Sequence, residues 1–243
     1  VATETADRPR QAVQPAPHAS GGEGGERLLF PVGHHVGAQH RVESDEVVEQ
    51  VRRGATFHDL TSQEYAVWTL AHGSPEAVKN EVPWTRQAVE ELARVAGLTA
   101  VYEVVDKLME TGLLVEVRPA TDEALAFAKA HRVVPLMLGL GNTADEPWLF
   151  GIGFLGQPIL QVTHPIYDVW QWSSMDDTLW ATCLSAVDVA SRAKSTDPES
   201  TDPTKLFTGF LGSIHALLLG KAACLDIGFR IGAAQSLDDG RED

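Results

Sequence analysis

The sequence predicts an α+β protein made of two tandem copies of one unit. Three observations carry that expectation. Leu60–Trp68, LTSQEYAVW, returns as Val162–Trp170, VTHPIYDVW, matching at Thr61/Thr163, Tyr65/Tyr167, Val67/Val169 and Trp68/Trp170 with a constant offset of 102 residues. The flanks repeat as well: Leu28–Gly33 (LLFPVG) aligns with Trp148–Gly153 (WLFGIG), and Trp84 before one helical run aligns with Trp180 before another. Each copy closes alike, with Thr111-Gly112 leading into Leu113–Val117 and Gly220-Lys221 into Ala223–Ile227.

Composition sets the class. The hydrophobic fraction is 44% and the charged fraction 22%, as in globular proteins, and 243 residues suffice for two small cores. No apolar run is long enough to span a bilayer, and no charged-then-apolar start reads as a secretory signal. Cys183 and Cys224 are far apart, without CxxC spacing, and read as buried reduced thiols of a cytoplasmic protein. The net charge of −15 opposes sequence-independent DNA affinity, which depends on cationic contacts to phosphate.

Residues 1–27 are rich in Pro, Gly, Ala and Glu and read as a disordered tail. The first unit spans 28–118. Leu28–Val32 suits a strand, and 41–58 reads as two strand-like pieces around a turn at Arg52-Arg53-Gly54. A helix opens after Asp59, where Thr61 and Glu64 form a capping-box pattern, with Tyr65 and Trp68 as core anchors. Thr85 caps a second helix, Arg86–Ala96, and Thr99 a third, Ala100–Glu110; Gly112 then turns the chain into a strand. Strands, three helices, a glycine turn and a final strand make the layout of a winged helix.

Residues 119–147 read as a linker: a helix at Thr121–Ala130, then apolar Val133–Leu140 with a hairpin turn at Gly139–Thr143. That glycine-rich turn lacks the Lys-Ser/Thr ending of a phosphate loop, and Asp145-Glu146 would repel phosphate. The second winged-helix-like unit spans 148–235. It has strands at Trp148–Phe154 and Ile159–Val162, a helix from Pro165, another at Leu179–Ala193, a polar loop at Ser195–Pro203, and an apolar helix at Leu206–Leu219. Trp170 and Trp172 cannot both face one core, which puts one at an interface. Docking of the units is expected through Val133–Leu140, Trp172 and the last helix. Residues 236–243 form an acidic tail.

In the first unit, Phe57-His58-Asp59-Leu60 running into Tyr65-Ala66-Val67-Trp68, then Leu108-Met109-Glu110-Thr111-Gly112-Leu113-Leu114, resembles the small winged-helix domains of the PqqD-like family, the recognition elements that capture leader peptides of ribosomally made natural products. The resemblance covers residues 42–117 and implies a peptide added as a strand beside the wing and third helix. It makes Leu108, Leu113, Val115 and Trp172 the candidate peptide or partner contacts. The alternative is a DNA-binding regulator using Lys79, Arg86, Arg94 and Lys107; the third helix opposes this, setting Lys107 against Glu103, Asp106 and Glu110.

No catalytic residues, cofactor or metal are expected. His34, His35 and His40 lack ligand spacing. Cys183 and Cys224, with His164 or His215, sit in apolar patterns that leave a thiol inert. The sequence therefore points to a non-catalytic module binding a peptide or protein, with DNA as the alternative partner and a homodimer left open.

Overall fold

The computed structural model describes residues 25–42 and 46–229, with the backbone of Ala12 and Val13. The rest of the expected tails lies outside the described residues. The chain runs through β1 (Ala12–Val13), β2 (Leu28–Pro31), β3 (His34–Arg41), β4 (Glu46–Arg53), β5 (Thr56–Leu60), α1 (Ser62–Leu70), α2 (Pro75–Lys79), α3 (Arg86–Val95), α4 (Val101–Glu110) and β6 (Leu114–Val117). A connecting helix, α5 (Asp122–Ala130), leads to β7 (His131–Pro135), β8 (Leu138–Gly141), β9 (Leu149–Phe154), β10 (Gln157–Thr163), α6 (His164–Trp172), α7 (Leu179–Arg192), α8 (Pro198–Thr201), α9 (Pro203–Leu219) and β11 (Ala223–Ile227). The fold is α+β, with small sheets.

Strand pairing repeats between the halves. β3-β4-β5 is an antiparallel meander, and so is β8-β9-β10; β2 pairs with β6 as β7 pairs with β11. The register agrees in detail. Pro31 opposes Leu114 and Pro135 opposes Ala223, while Val32 N–H donates to Leu113 O and Leu136 N–H to Ala222 O, both at 2.9 Å. Each first meander strand carries a bulge at the same place, between His35 and Gly37 and between Gly139 and Gly141. After the third long helix each half turns through the left-handed region, at Gly112 and at Lys221.

This register corrects the flanking alignment. Leu28–Pro31 corresponds to Arg132–Pro135, and Trp148–Gly153 runs along β9, which corresponds to β4. β7 and β8 therefore belong to the second half, and α5 alone is the connection. Gly139 and Gly141 lie in β8 itself, with the β8–β9 turn after them. Trp84 and Trp180 are not equivalent: Thr85 and Thr178 are the matching caps, so Trp84 precedes its cap and Trp180 follows its own.

Local chemistry explains most helix starts. Thr61 and Glu64 complete a capping box, and Thr85, Thr121 and Thr178 each accept a backbone N–H in the first turn. Two helix starts differ from expectation. α4 is capped by Ala100 in the left-handed conformation, not by Thr99, whose carbonyl instead accepts from Gln63. α9 begins earlier, at Pro203 after the Asp202 cap, and the polar loop before it holds α8.

The β2–β6 ribbon joins the two cores. Leu29 and Leu114 enter a first-half core with Val51, Trp68, Val89 and Val105; Leu28, Phe30 and Val117 enter a second core with Phe127, Tyr167, Trp170, Phe210 and Ile214. Successive strand residues point to opposite faces, so one short ribbon serves both. α9 holds β2 from the far side, with the His215 ring stacked on Phe30 at 4.7 Å and its Nε2–H donating to Leu29 O at 2.9 Å. Val133 and α9 thus contribute to the docking expected of them. Leu136, Leu138 and Trp172 do not, because all three are exposed.

Candidate functional site

The outer edges of the two meanders correspond where they lead into α1 and α6, past a bulge between Pro158 and Leu160 that β5 lacks, but are differently occupied. Along β10, Ala12 and Val13 pair in parallel with Gln161 and Val162, adding β1 as a fourth strand. The same positions of the first half are Asp59 and Leu60 on β5. Among the described residues β5 pairs with β4 alone, so its outer edge is open. An unpaired strand edge is a row of main-chain donors and acceptors at fixed spacing, able to bind any extended chain.

Several interactions hold that edge rigid. Asp59 accepts from Arg41 Nη2 at 2.5 Å and from Gln50 Nε2 at 3.0 Å, and these bonds keep its carboxyl below the usual carboxylate range. Thr61 ends β5 and begins α1. Glu64, buried beneath it, accepts from Thr61 N–H at 2.9 Å and from Lys107 of α4. Burial alone would raise the Glu64 carboxyl, but these bonds bring it below its ordinary value. The α1 N-terminus thereby ties the β5 edge to α4. Phe57 on β5 and Tyr102 on α4 are both exposed aromatics.

Beneath the meander lies a polar relay. Glu49 accepts from His35 Nε2–H at 2.8 Å, which leaves Nδ1 to accept the Tyr65 hydroxyl at 3.2 Å. The ring of His35 packs on Tyr65 at 4.5 Å. The relay fastens β3 and β4 to α1. Among the described residues, no group of His, Cys, Asp and Glu is arranged to hold a metal ion, and His34, His35 and His40 do not converge. Cys183 and Cys224 are buried free thiols, pushed up to about 12 by burial, with Asp176 adding at Cys183 and Asp226 at Cys224.

The sequence-derived contacts are scattered. Leu108 and Leu113 are buried in the first core and present no surface; they serve packing instead. Val115 is half-buried against the second core, and Trp172 is exposed on α6 of the other half. Of the cations, Arg86 is held by Glu90 at 2.6 Å and Asp106 at 2.8 Å, and Lys107 by Glu64. Lys79 and Arg94 are exposed on α2 and α3. The β5 edge escaped the sequence, although Phe57–Leu60 lay within the resembling stretch. An apolar pair inside a Pro-rich tail gave no sign that Ala12–Val13 would form a strand.

No protein-family model matches the chain, and no curated protein or solved structure does. Among the described residues no helix is long and apolar enough to cross a membrane.

Proposed function

We propose that this chain is a non-catalytic binding module whose first half takes up an extended peptide, or an extended segment of a partner protein, as a strand added along β5. The observation that carries this reading is the strand Ala12–Val13 on β10, at the positions equivalent to Asp59–Leu60. The same scaffold accepts an added strand at one edge and leaves the other open. The resemblance to PqqD-like winged-helix domains implies the same mode, strand addition, but beside the wing; the strand after Gly112, β6, is already paired with β2, so the added strand is placed on β5 instead. A net charge of −15 favours a neutral or basic ligand. The DNA reading is weaker, because Arg86 and Lys107 are already paired with carboxylates.

The test is an NMR titration of the full chain with a synthetic peptide of residues 8–17, RPRQAVQPAP, which contains the pairing segment and two arginines. The expected result is amide shifts at Phe57–Leu60, lost when the peptide is N-methylated at Ala12 and Val13. Shifts confined to Gln161–Val162, or none at all, would overturn the reading.

A further inference from the structure

The strand already held by the second half supplies a direction and a register. Ala12 and Val13 run parallel to β10, opposite Gln161 and Val162, and β10 leads from there into α6. These positions lie past the bulge between Pro158 and Leu160, where the two edges correspond. Leu160, Gln161 and Val162 pair with Ile152, Gly151 and Phe150, as His58, Asp59 and Leu60 pair with Val51, Gln50 and Glu49. A strand set on β5 in the same way starts near Thr56 and runs toward the α1 N-terminus, with successive residues opposite His58, Asp59 and Leu60.

Directly paired strand residues share a face, and successive ones alternate. Leu60 is buried and His58 pairs with the buried Val51, so both face inward; Asp59 faces outward and is engaged by Arg41 and Gln50. The two edges differ most at His58. Its counterpart Leu160 is buried in the apolar second core, whereas the His58 Nε2 is buried without a hydrogen-bond partner among the described residues. Burial, and then the Arg53 charge, lowers the pKa of this imidazole, so at neutral pH it is uncharged, with one N–H and one bare nitrogen. A buried polar atom without a partner costs free energy that a ligand atom can recover. The neighbouring inward position on an added strand is about 4.8 Å away, within reach of a carboxamide or hydroxyl side chain.

Resting on the strand-acceptor reading of β5, we infer that the ligand strand lies parallel to β5, with a carboxamide or hydroxyl side chain beside His58 and, two residues further on, an apolar side chain beside Leu60. The residue between them faces outward beside Asp59 and is not selected. The sequence Gln11-Ala12-Val13 meets this pattern, which makes the peptide of residues 8–17 the probe. The full chain is titrated with that peptide carrying a nitroxide label at one end or the other. The N-terminal label should broaden amides around Thr56, and the C-terminal label those of Gln63 and Glu64 at the start of α1. Gln11→Ala in the peptide should weaken binding about tenfold to the wild-type chain and change little against a His58→Phe chain, which lacks the ring nitrogen. Val13→Ser in the peptide should weaken binding to both chains about tenfold. Broadening in the reverse order, a Gln11→Ala loss that is equal for the two chains, or no loss with Val13→Ser would each overturn the inference while leaving β5 a strand acceptor. Absence of any shift at Phe57–Leu60 would overturn both. The direction is measured on the wild-type chain, so it decides the matter even where His58→Phe perturbs the fold.

Discussion

The two meanders share a register and carry different chemistry on it. On the outer face, His34, Gln50, Arg52, Phe57 and Asp59 of the first half stand where the second has Leu138, Gly151, Gly153, Pro158 and Gln161. On the inner face, the Glu49–His35–Tyr65 relay stands where the second half has Phe150, Gly139 and Tyr167. Tyr167 keeps its place by packing, with Phe150 at 4.9 Å, and its hydroxyl occupies the space that a Cβ on Gly139 would need. Main-chain pairing thus fixes where each side chain sits and leaves its chemistry free, so one scaffold presents a polar surface and an apolar one.

Acid should produce the largest effect, because each half buries its own imidazole. Burial lowers His72 to about 3 and His215 to about 4. Both are neutral in the fold, whereas the unfolded chain takes up protons at the usual 6.5. Their contribution is complete above that value and is lost as pH falls toward the folded values. Urea unfolding should show a loss on the order of several kcal/mol between about pH 7 and about pH 4. A flat profile would contradict the buried neutral state.

The junction should rank next. Asp226 is buried and accepts from Gly54 N–H at 2.7 Å, Ile227 N–H at 2.9 Å and Arg132 Nη2 at 3.4 Å. Asp226→Ala leaves the half-buried Arg132 uncompensated and should cost about 3 kcal/mol. Leu155→Ala, at the turn corresponding to Gly54, should cost less than about 0.5 kcal/mol of monomer stability. Equal costs by denaturation would erase the asymmetry between the two turns.

Gly139→Val should cost about 2 kcal/mol, since the new side chain must displace Tyr167 from a packed core. At the matching position His35→Ala should cost about 1 kcal/mol, the worth of its bonds to Glu49 and Tyr65. A Gly139→Val protein as stable as the parent would show that the second relay position is not tightly filled.

The smallest contrast separates the two repeated tryptophans. Trp170 Nε1–H donates to Ala222 O at 2.9 Å, whereas among the described residues the buried Trp68 Nε1–H has no partner. Both Trp→Phe changes lose packing, but only Trp170→Phe also loses a buried hydrogen bond, the second of two donors to Ala222 O, which keeps the bond from Leu136 N–H. It should cost about 1 kcal/mol more than Trp68→Phe by thermal or urea unfolding. The opposite order would mean that Trp68 contributes a bond not seen here.

What could be read from the sequence was local. The Thr61 capping box, the Thr85 cap and the Tyr-Trp repeat each involve residues within one or two turns. Strand partnership was not legible, because Leu28–Pro31 finds its partner at Leu114–Val117 and Trp148–Gly153 resembles Leu28–Gly33 in letters without matching it in pairing. The candidate site failed for the same reason. Whether β5 is an edge depends on which strands stand beside it, a property of the assembled sheet. Leu108 and Leu113 were chosen by their place along the chain, and their burial by α1 and β2 is a tertiary outcome.

The shared ribbon also sets a timetable for the ribosome. α9, which covers Leu28 and Phe30, is complete only about 190 residues after them. At about 5–20 residues per second, that face of β2 waits roughly 10–40 s for α9. Newborn chains therefore pass through a sticky interval that ends only with the last helix, and a chaperone that shields β2 during translation would raise the yield of folded protein.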